Sequence, residues 1–312
     1  MSSIKYALLA PLMAISALSI AAESVDQQHD VVANPNVSIK VQRGNVEFIS
    51  WDNNSIQVKG ELDELSKGFI FDVKGNMVVI EDKLPRSYQG SNKQGSQLTI
   101  YLPKQLNLNA EGVSADFSVA KLSGQVAMAL VSGNILAGQL NGDTKLTTVS
   151  GNITSDQLNG KINLETVSGD IKDNGSQGQA ELRLVSGELN TDSDFTQVTI
   201  DQVSGDISAT LKAISVLNMV TISGDAQLIL GAELANARLE TISGDMNLRF
   251  TEQPNVSFTI DGGPGGKIDN QLTDDTPLKQ KYSPSKTLQF NTLSGDGQVN
   301  INTISGRIIL HK

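Results

Sequence analysis

The sequence contains no cysteine, two histidines and one tryptophan in 312 residues, and aromatic residues make up only 4 % of it. Without cysteine there is no disulfide, no thiol nucleophile and no thiolate metal site, so stability must come from backbone ladders and apolar stacking. The histidines, His29 in a polar segment and His311 next to last, sit beside no motif and read as solvated. The scarcity of aromatics argues against a broad globular core. It leaves Trp51, Tyr88, Tyr101 and Tyr282 as the residues that could offer a sugar ring a flat partner, with Trp51 equally suited to burial. Positive charge is short as well: 24 Lys and Arg stand against 34 Asp and Glu, for a net charge of −10. That balance argues against nucleic acid and anionic membrane surfaces as partners.

Long apolar runs are missing except at the start. Lys5 followed by the apolar stretch Tyr6 to Ile20 and the small residues Ala21 and Ala22 has the layout of an export signal, with cleavage expected after Ala21 or Ala22. Removing residues 1–22 removes Lys5, their one charged residue, and takes the net charge from −10 to −11. No later run is long enough to span a bilayer and no cysteine is present for lipid attachment, so the expectation is an exported chain without a membrane span, periplasmic or on the cell surface.

What the sequence has in quantity is a repeat. A tetrad of aliphatic residue, Ser, Gly and a polar residue occurs at Val131-Ser132-Gly133-Asn134 and again at Val149, Val167, Val185 and Val203, spaced by 18 residues each time. It continues at Ile222 and Ile242 after one and then two extra residues, is preceded by Val113-Ser114-Ala115-Asp116, and returns at Leu293 and Ile304. A weaker series, Leu122-Ser123-Gly124, Leu140-Asn141-Gly142 and Leu158-Asn159-Gly160, runs nine residues out of phase. Between the turns residues alternate apolar and polar, as in Ile162-Asn163-Leu164-Glu165. Period two with one apolar face is a half-buried strand, and such a strand buries its face only by stacking on copies of itself. The prediction is an all-β, single-chain β-solenoid with coils of about 18 residues, two strands per coil and Ser-Gly-Asp turns. Eight coils between about Asn107 and Phe250 would make a rod roughly 40 Å long.

The flanks are less regular. Strands are predicted at Val37 to Val41, Asn45 to Trp51, Ser55 to Gly60, Gly68 to Val73, Met77 to Glu81 and Gln97 to Leu102, with a polar loop from Lys83 to Ser96. The resulting division is an export signal at 1–22, an N-terminal β cap at 23–106, the regular solenoid at 107–250 and loop-interrupted C-terminal coils at 251–312.

The Ser-Gly-Asp turns at 18-residue spacing, the segment Val46-Glu47-Phe48-Ile49-Ser50-Trp51-Asp52 to Val58-Lys59-Gly60, and the closing Gly295-Asp296-Gly297-Gln298-Val299 to Ile304-Ser305-Gly306 resemble the bacterial adhesin-type family of unknown function known as DUF4097. The resemblance covers about residues 36 to 312. It implies an envelope or surface protein with no established enzymatic activity.

Catalysis has little to stand on. Ten equivalent turn serines without a paired base form a structural column, not ten nucleophiles. The β-helical polysaccharide lyases and hydrolases carry clustered carboxylates or bases on long loops, which coils this short cannot hold. No catalytic residue and no cofactor is assigned. The sharper alternative is calcium. Asp116, Asp170, Asp206, Asp225 and Asp245 share one turn position, with Asn134, Asn152 and Glu188 between them, and Asp170, Asp206, Asp225 and Asp245 are the candidate ligands. Calcium takes six to eight oxygens, and one acid per turn with a variable opposite turn (Asp143, Lys161, Gln179, Gln197) does not supply them. The column therefore reads as solvated turn residues. Two smaller features are set aside. Gly262 to Lys267 is followed by Ile268 where a phosphate loop needs Ser or Thr, and the column Thr148, Thr166, Thr221 and Thr241, a candidate flat ice-binding face, is interrupted by Leu184 and Gln202. The expected function is a structural or adhesin-like rod of the bacterial cell envelope with an envelope or surface partner. An envelope glycan-binding or calcium-binding module is the alternative.

Overall fold

The computed structural model describes residues 23–86, 94–279 and 281–312. The expected export signal at 1–22 and Tyr88 lie outside the described residues. Every regular element among the described residues is a β-strand, and the strands join in one continuous sheet. The chain is a β-solenoid in which each coil stacks parallel on the next.

One coil shows how the repeat becomes structure. The long strand Asn141–Ser150 is followed by the short strand Ile153–Asp156, and the next coil opens with Asn159–Ser168. Pairing runs at a shift of 18 residues: Leu146 lies on Leu164 and Ile153 on Ile171. Thr144, Leu146, Thr148, Ile153, Ser155 and Leu158 are buried. Stacking turns these positions into columns. One runs Ile135, Ile153, Ile171, Leu189, Ile207, Ala226, Met246, Ile308, and another runs Leu146, Leu164, Leu182, Ile200, Met219, Leu239, Ile301. Each buried Leu or Ile contributes roughly 1.5–3 kcal/mol. The extra residues before Ile222 and Ile242 bulge out between short and long strands, and the register resumes with Ser204 on Ser223 and Ser223 on Ser243.

The coil has three bends rather than two. The Ser-Gly turn is one. Gly142 and Gly160 kink the long strand at φ of 125° and 129°, and Gln139 and Gln157 turn the chain in the left-handed region at φ 54°. The third bend falls on glutamine, whose side chain carries no turn signature, and so escaped the sequence reading.

The two ends share a device. The coil formed by Asn36–Val41 and Arg43–Trp51 stacks on the strand Asn107–Ala120, yet on its other side it carries Met77–Asp82 and Ser96–Pro103. An early segment is thus clamped inside a later one. At the far end Gly297–Ser305 and Arg307–His311 stack on the rod, and the earlier segments Val256–Asp261 and Lys267–Asn270 close over them. Antiparallel strands then finish each end: Phe69–Lys74 and Ser55–Glu61 at the start, Lys286–Asn291 at the finish. They cover ladders that would otherwise template pairing with another chain. The strand Ser24–Asp30, polar except for the buried Val25 and unpredicted, pairs antiparallel with Ser55–Glu61.

Aromatic residues collect at these ends. Phe48 meets Phe117 edge to face at 5.6 Å, while Phe258 meets Phe250 at 5.9 Å and stacks on Phe290 at 4.6 Å. The N-terminal end also holds a buried polar lock. Arg43 donates from Nε (2.8 Å) and Nη2 (3.0 Å) to the two carboxylate oxygens of Asp63. Asp82 accepts from Ser66 Oγ (2.5 Å), Ser96 Oγ (2.6 Å) and the Asp63 backbone N–H (3.1 Å). A planar guanidinium matched to a carboxylate fixes orientation as well as charge.

Candidate functional site

The acidic turn column is a hydrogen-bond ladder. Asp116 Oδ1 accepts from the backbone N–H of Asn134 (2.7 Å), Asn134 Oδ1 from Asn152 (3.0 Å), Asn152 Oδ1 from Asp170 (2.8 Å) and Asp170 Oδ1 from Glu188 (2.9 Å). The series resumes from Asp206 to Asp225 (3.0 Å), Asp225 to Asp245 (2.8 Å) and Asp245 to Arg307 (2.7 Å). The reason lies in the turn. Gly133 N–H and Ile135 N–H bond forward to the next coil's carbonyls, which leaves the N–H of Asn134 pointing back along the rod, where a short Asp or Asn side chain reaches it. Glu188, one methylene longer, makes no such bond to Asp206, and the ladder breaks there.

The column residues are exposed, but one oxygen of each of its Asp and Asn side chains is engaged by the neighbouring coil, so they are not merely solvated. That accounts for Asp and Asn sharing the position, and it takes an oxygen of Asp170, Asp206, Asp225 and Asp245 away from any ion. No group of three or more His, Asp or Glu among the described residues is placed to share a metal. Asp170→Asn keeps the acceptor, so its thermal melt is expected within about 0.5 kcal/mol of the parent, while Asp170→Ala loses about 1 kcal/mol. A chelator should leave both melts unchanged. A steep fall in melting temperature with chelator, or equal losses for the two variants, would contradict the ladder account.

The threonine column faces inward and cannot be a flat outer face. Thr148 and Thr166 are buried, and their hydroxyls donate to the carbonyls of Gly133 and Gly151, each at 3.2 Å. Gln202, which interrupts the column, donates in the same way to Gly187 O at 3.0 Å.

A second polar group sits deep in the rod. Asp173, 2 % exposed, accepts from Ser155 Oγ (2.5 Å) and Ser176 Oγ (2.7 Å) at Oδ1, and from Ser193 Oγ (2.7 Å) and Thr191 Oγ1 (3.3 Å) at Oδ2. Ser176 and Ser193 in turn accept from the backbone N–H groups of Leu158 and Ser176, both at 3.0 Å. This kernel was not foreseen, although parity signals it: Asp173 has the same phase as the buried Ile171, and Ser155 and Thr191 lie 18 residues to either side.

Two outward features remain. The aliphatic residue of each tetrad points away from the core. Val113, Val131, Val149, Val167, Val185, Val203, Ile222, Ile242 and Ile304 are each 40 to 53 % exposed and stack in one ribbon, bordered by the exposed serine column. On the same sheet nearer the cap lies a groove of about 610 Å³, floored by Val37, Leu108 and Val126 and walled by Asn36, Asn107, Gln125, Lys145, Lys161 and Glu181.

Of the sugar-platform candidates, the fold brings Trp51 and Tyr101 together with ring centroids 5.3 Å apart, both half-buried, and Trp51 Nε1 donates to Ser55 O at 2.7 Å. Tyr282 is 91 % exposed and apart from them. His29 is exposed with its ring edge-on to Phe71 at 4.6 Å, while His311 is half-buried with Nε2 2.8 Å from Asn247 Oδ1. The Gly262–Lys267 segment turns into the strand Lys267–Asn270, not into a helix.

A capped parallel β-solenoid with glycine turns is thus the architecture. Residues 34–257 match the Toastrack DUF4097 family, and the chain belongs to it. No curated protein matches the chain. Among solved structures, it is similar to a putative lipid binding protein from Parabacteroides distasonis (17 % identity, TM-score 0.47, covering 73 % of this chain and 97 % of that one). It is also similar to a putative adhesin from Bacteroides fragilis (13 % identity, TM-score 0.35, covering 94 % and 99 %). A putative cell adhesion protein from Clostridium sporogenes is similar at 11 % identity and a TM-score of 0.26, covering 93 % and 99 %.

Proposed function

We propose that this chain is a non-catalytic structural or adhesin-like rod of the bacterial cell envelope. In this reading it is exported by residues 1–22 and built from a cap at 23–106, a regular solenoid at 107–250 and loop-interrupted coils at 251–312. The observation that carries the reading is the turn ladder. The repeated Asp and Asn side chains, the recurrent carboxylate and amide groups of the turns, bind the backbone of the next coil. What the repeats present outward is a long, periodic, chemically simple face, which suits contact along a polymer or a surface better than chemistry on a small substrate.

Envelope glycan binding is the second reading, supported by the half-buried Trp51 and Tyr101 rings side by side at 5.3 Å. The purified chain incubated with isolated envelopes and with purified cell-wall glycan tests both. Retention on the envelopes with no new reducing ends is the expected outcome, and retention lost in Trp51→Ala would assign it to the glycan reading. Steady release of reducing ends would make the chain an enzyme, and failure to be retained by either material would remove the adhesive role.

A further inference from the structure

We propose that the aliphatic ribbon from Val113 to Ile304 is the contact face of a symmetric dimer of this chain, with two rods packed antiparallel, ribbon against ribbon. The inference goes beyond the envelope role and does not depend on it.

The ribbon leaves a continuous line of aliphatic side chains in water. Nine half-exposed Val and Ile side chains offer roughly 300–500 Å² of apolar surface, at about 25 cal/mol per Å² and half of a full side chain each. That is the size of the largest apolar patch on a typical monomer, which is often functional, and the amount matches the apolar share of a standard interface of about 800 Å² per partner. The adjoining serine column from Ser114 to Ser305 is exposed and uncharged too, so a charge-free band runs along the rod of a chain whose net charge is −10. The occupant should share the ribbon's period. Stacked coils repeat every ~4.8 Å, and a second copy presents that same repeat, so its side chains meet these at every coil. A two-fold axis makes the patch its own complement.

Charge selects the direction. The turn column beside the ribbon is acidic at one end, through Asp206, Asp225 and Asp245, and mostly neutral at the other, through Asn134 and Asn152. Rods packed in the same direction, with the two-fold axis along the rod, would put the two turn columns on opposite edges of the contact and lay each uncharged serine column against the partner's charged column of Glu165, Arg183 and Asp201. The antiparallel arrangement sets Asp225 and Asp245 beside Asn152 and Asn134, and Asp116 beside Arg307. Its two-fold axis passes at Val185, the fifth of the nine. Near that axis Asp170 falls beside Asp206 and Glu188 beside its own copy, so added salt should strengthen association. A lipid surface fits less well, because the acidic rim repels anionic headgroups. A glycan fits less well because the ribbon offers no aromatic ring.

Sedimentation of the purified chain tests the proposal. A concentration-dependent dimer that tightens with sodium chloride is expected. Val185→Glu places two carboxylates across the axis and should weaken the dimer on the order of 100-fold, with circular dichroism melts unchanged because the side chain points to solvent. The absence of native cysteine makes disulfide trapping clean. Val185→Cys should cross-link to itself, while Val131→Cys and Ile242→Cys should cross-link to each other when mixed and neither alone. A chain monomeric at every concentration overturns the proposal, as does a dimer that survives Val185→Glu in a folded variant or self-linking of Val131→Cys. Should Val185→Glu fail to fold, the cysteine pairs decide alone. Binding to vesicles of phosphatidylethanolamine and phosphatidylglycerol that Val185→Glu abolishes would assign the ribbon to membrane and equally overturn the dimer. Retention on envelopes is read separately, so a monomer that still binds envelopes leaves the envelope role standing.

Discussion

Gly169→Ala is expected to destabilise the rod by roughly 3–5 kcal/mol, at the top of the range for single substitutions. Two effects coincide at this position. Gly169 has φ +154°, a backbone L side chains rarely adopt, and a Cβ built on it would lie 1.9 Å from the carbonyl oxygen of Gly151 in the coil below. From sequence, a strain of roughly 1–3 kcal/mol in the turn is expected for a β-branched replacement; the close approach adds to it and makes alanine suffice. Gly151 separates the two effects. Its Cβ would meet Gly133 O at 1.9 Å without a left-handed φ, so Gly151→Ala should be nearly as costly. Gly175, at φ +64° with nothing nearer than Gln157 Cγ at 3.4 Å, should lose only about 1 kcal/mol on mutation to alanine. Because each coil contacts only its neighbours, the damage should also reduce cooperativity along the rod. Melts followed by circular dichroism order the three variants. Gly169→Ala within 1 kcal/mol of the parent would mean that the coils do not stack glycine on glycine.

How the sequence carries this fold can be judged residue by residue. The 18-residue spacing of Val131 to Val203 translates directly into register, since Ser132, Ser150, Ser168, Ser186 and Ser204 lie on one another. The irregular strands of the cap were legible too: the predicted Val37 to Val41 and Met77 to Glu81 fall within Asn36–Val41 and Met77–Asp82. Their order in space was not. Nothing local to Asn36–Val41 says that it pairs with Asn107 on one side and Met77 on the other, because non-local pairing leaves no period. The ribbon escaped for a different reason. Hydropathy marks Val149 as core, and only the phase set by Leu146 and Thr148 places it outside. The ladder escaped because turn statistics favour Asp and Asn whether or not an N–H waits above them.

The interior of a solenoid also has to choose one register among many, since a slip of one whole coil would keep nearly every Leu and Ile buried. The Asp173 kernel supplies a mark that a slipped stack could not satisfy. In register, Ala137, Ser155, Asp173, Thr191 and Ala209 form one inward column, so the carboxylate meets hydroxyls on both sides, and apolar residues border the set. Asp173→Ala is therefore expected to cost about 3–5 kcal/mol, because it leaves a cavity and removes the acceptor from the hydroxyls of Ser155, Ser176, Thr191 and Ser193 at once. The test lies in how further changes combine. Once the carboxylate is gone, Ser155→Ala and Thr191→Val remove donors that are already orphaned. The triple variant should then be no less stable than Asp173→Ala alone, and more stable if the column repacks as its Ala137 and Ala209 ends do. Chemical denaturation of the parent, the single and the triple variant reads this directly. Additive losses, or a single-variant cost below about 1 kcal/mol, would mean that the four hydroxyls find other partners and that the carboxylate does not set the register.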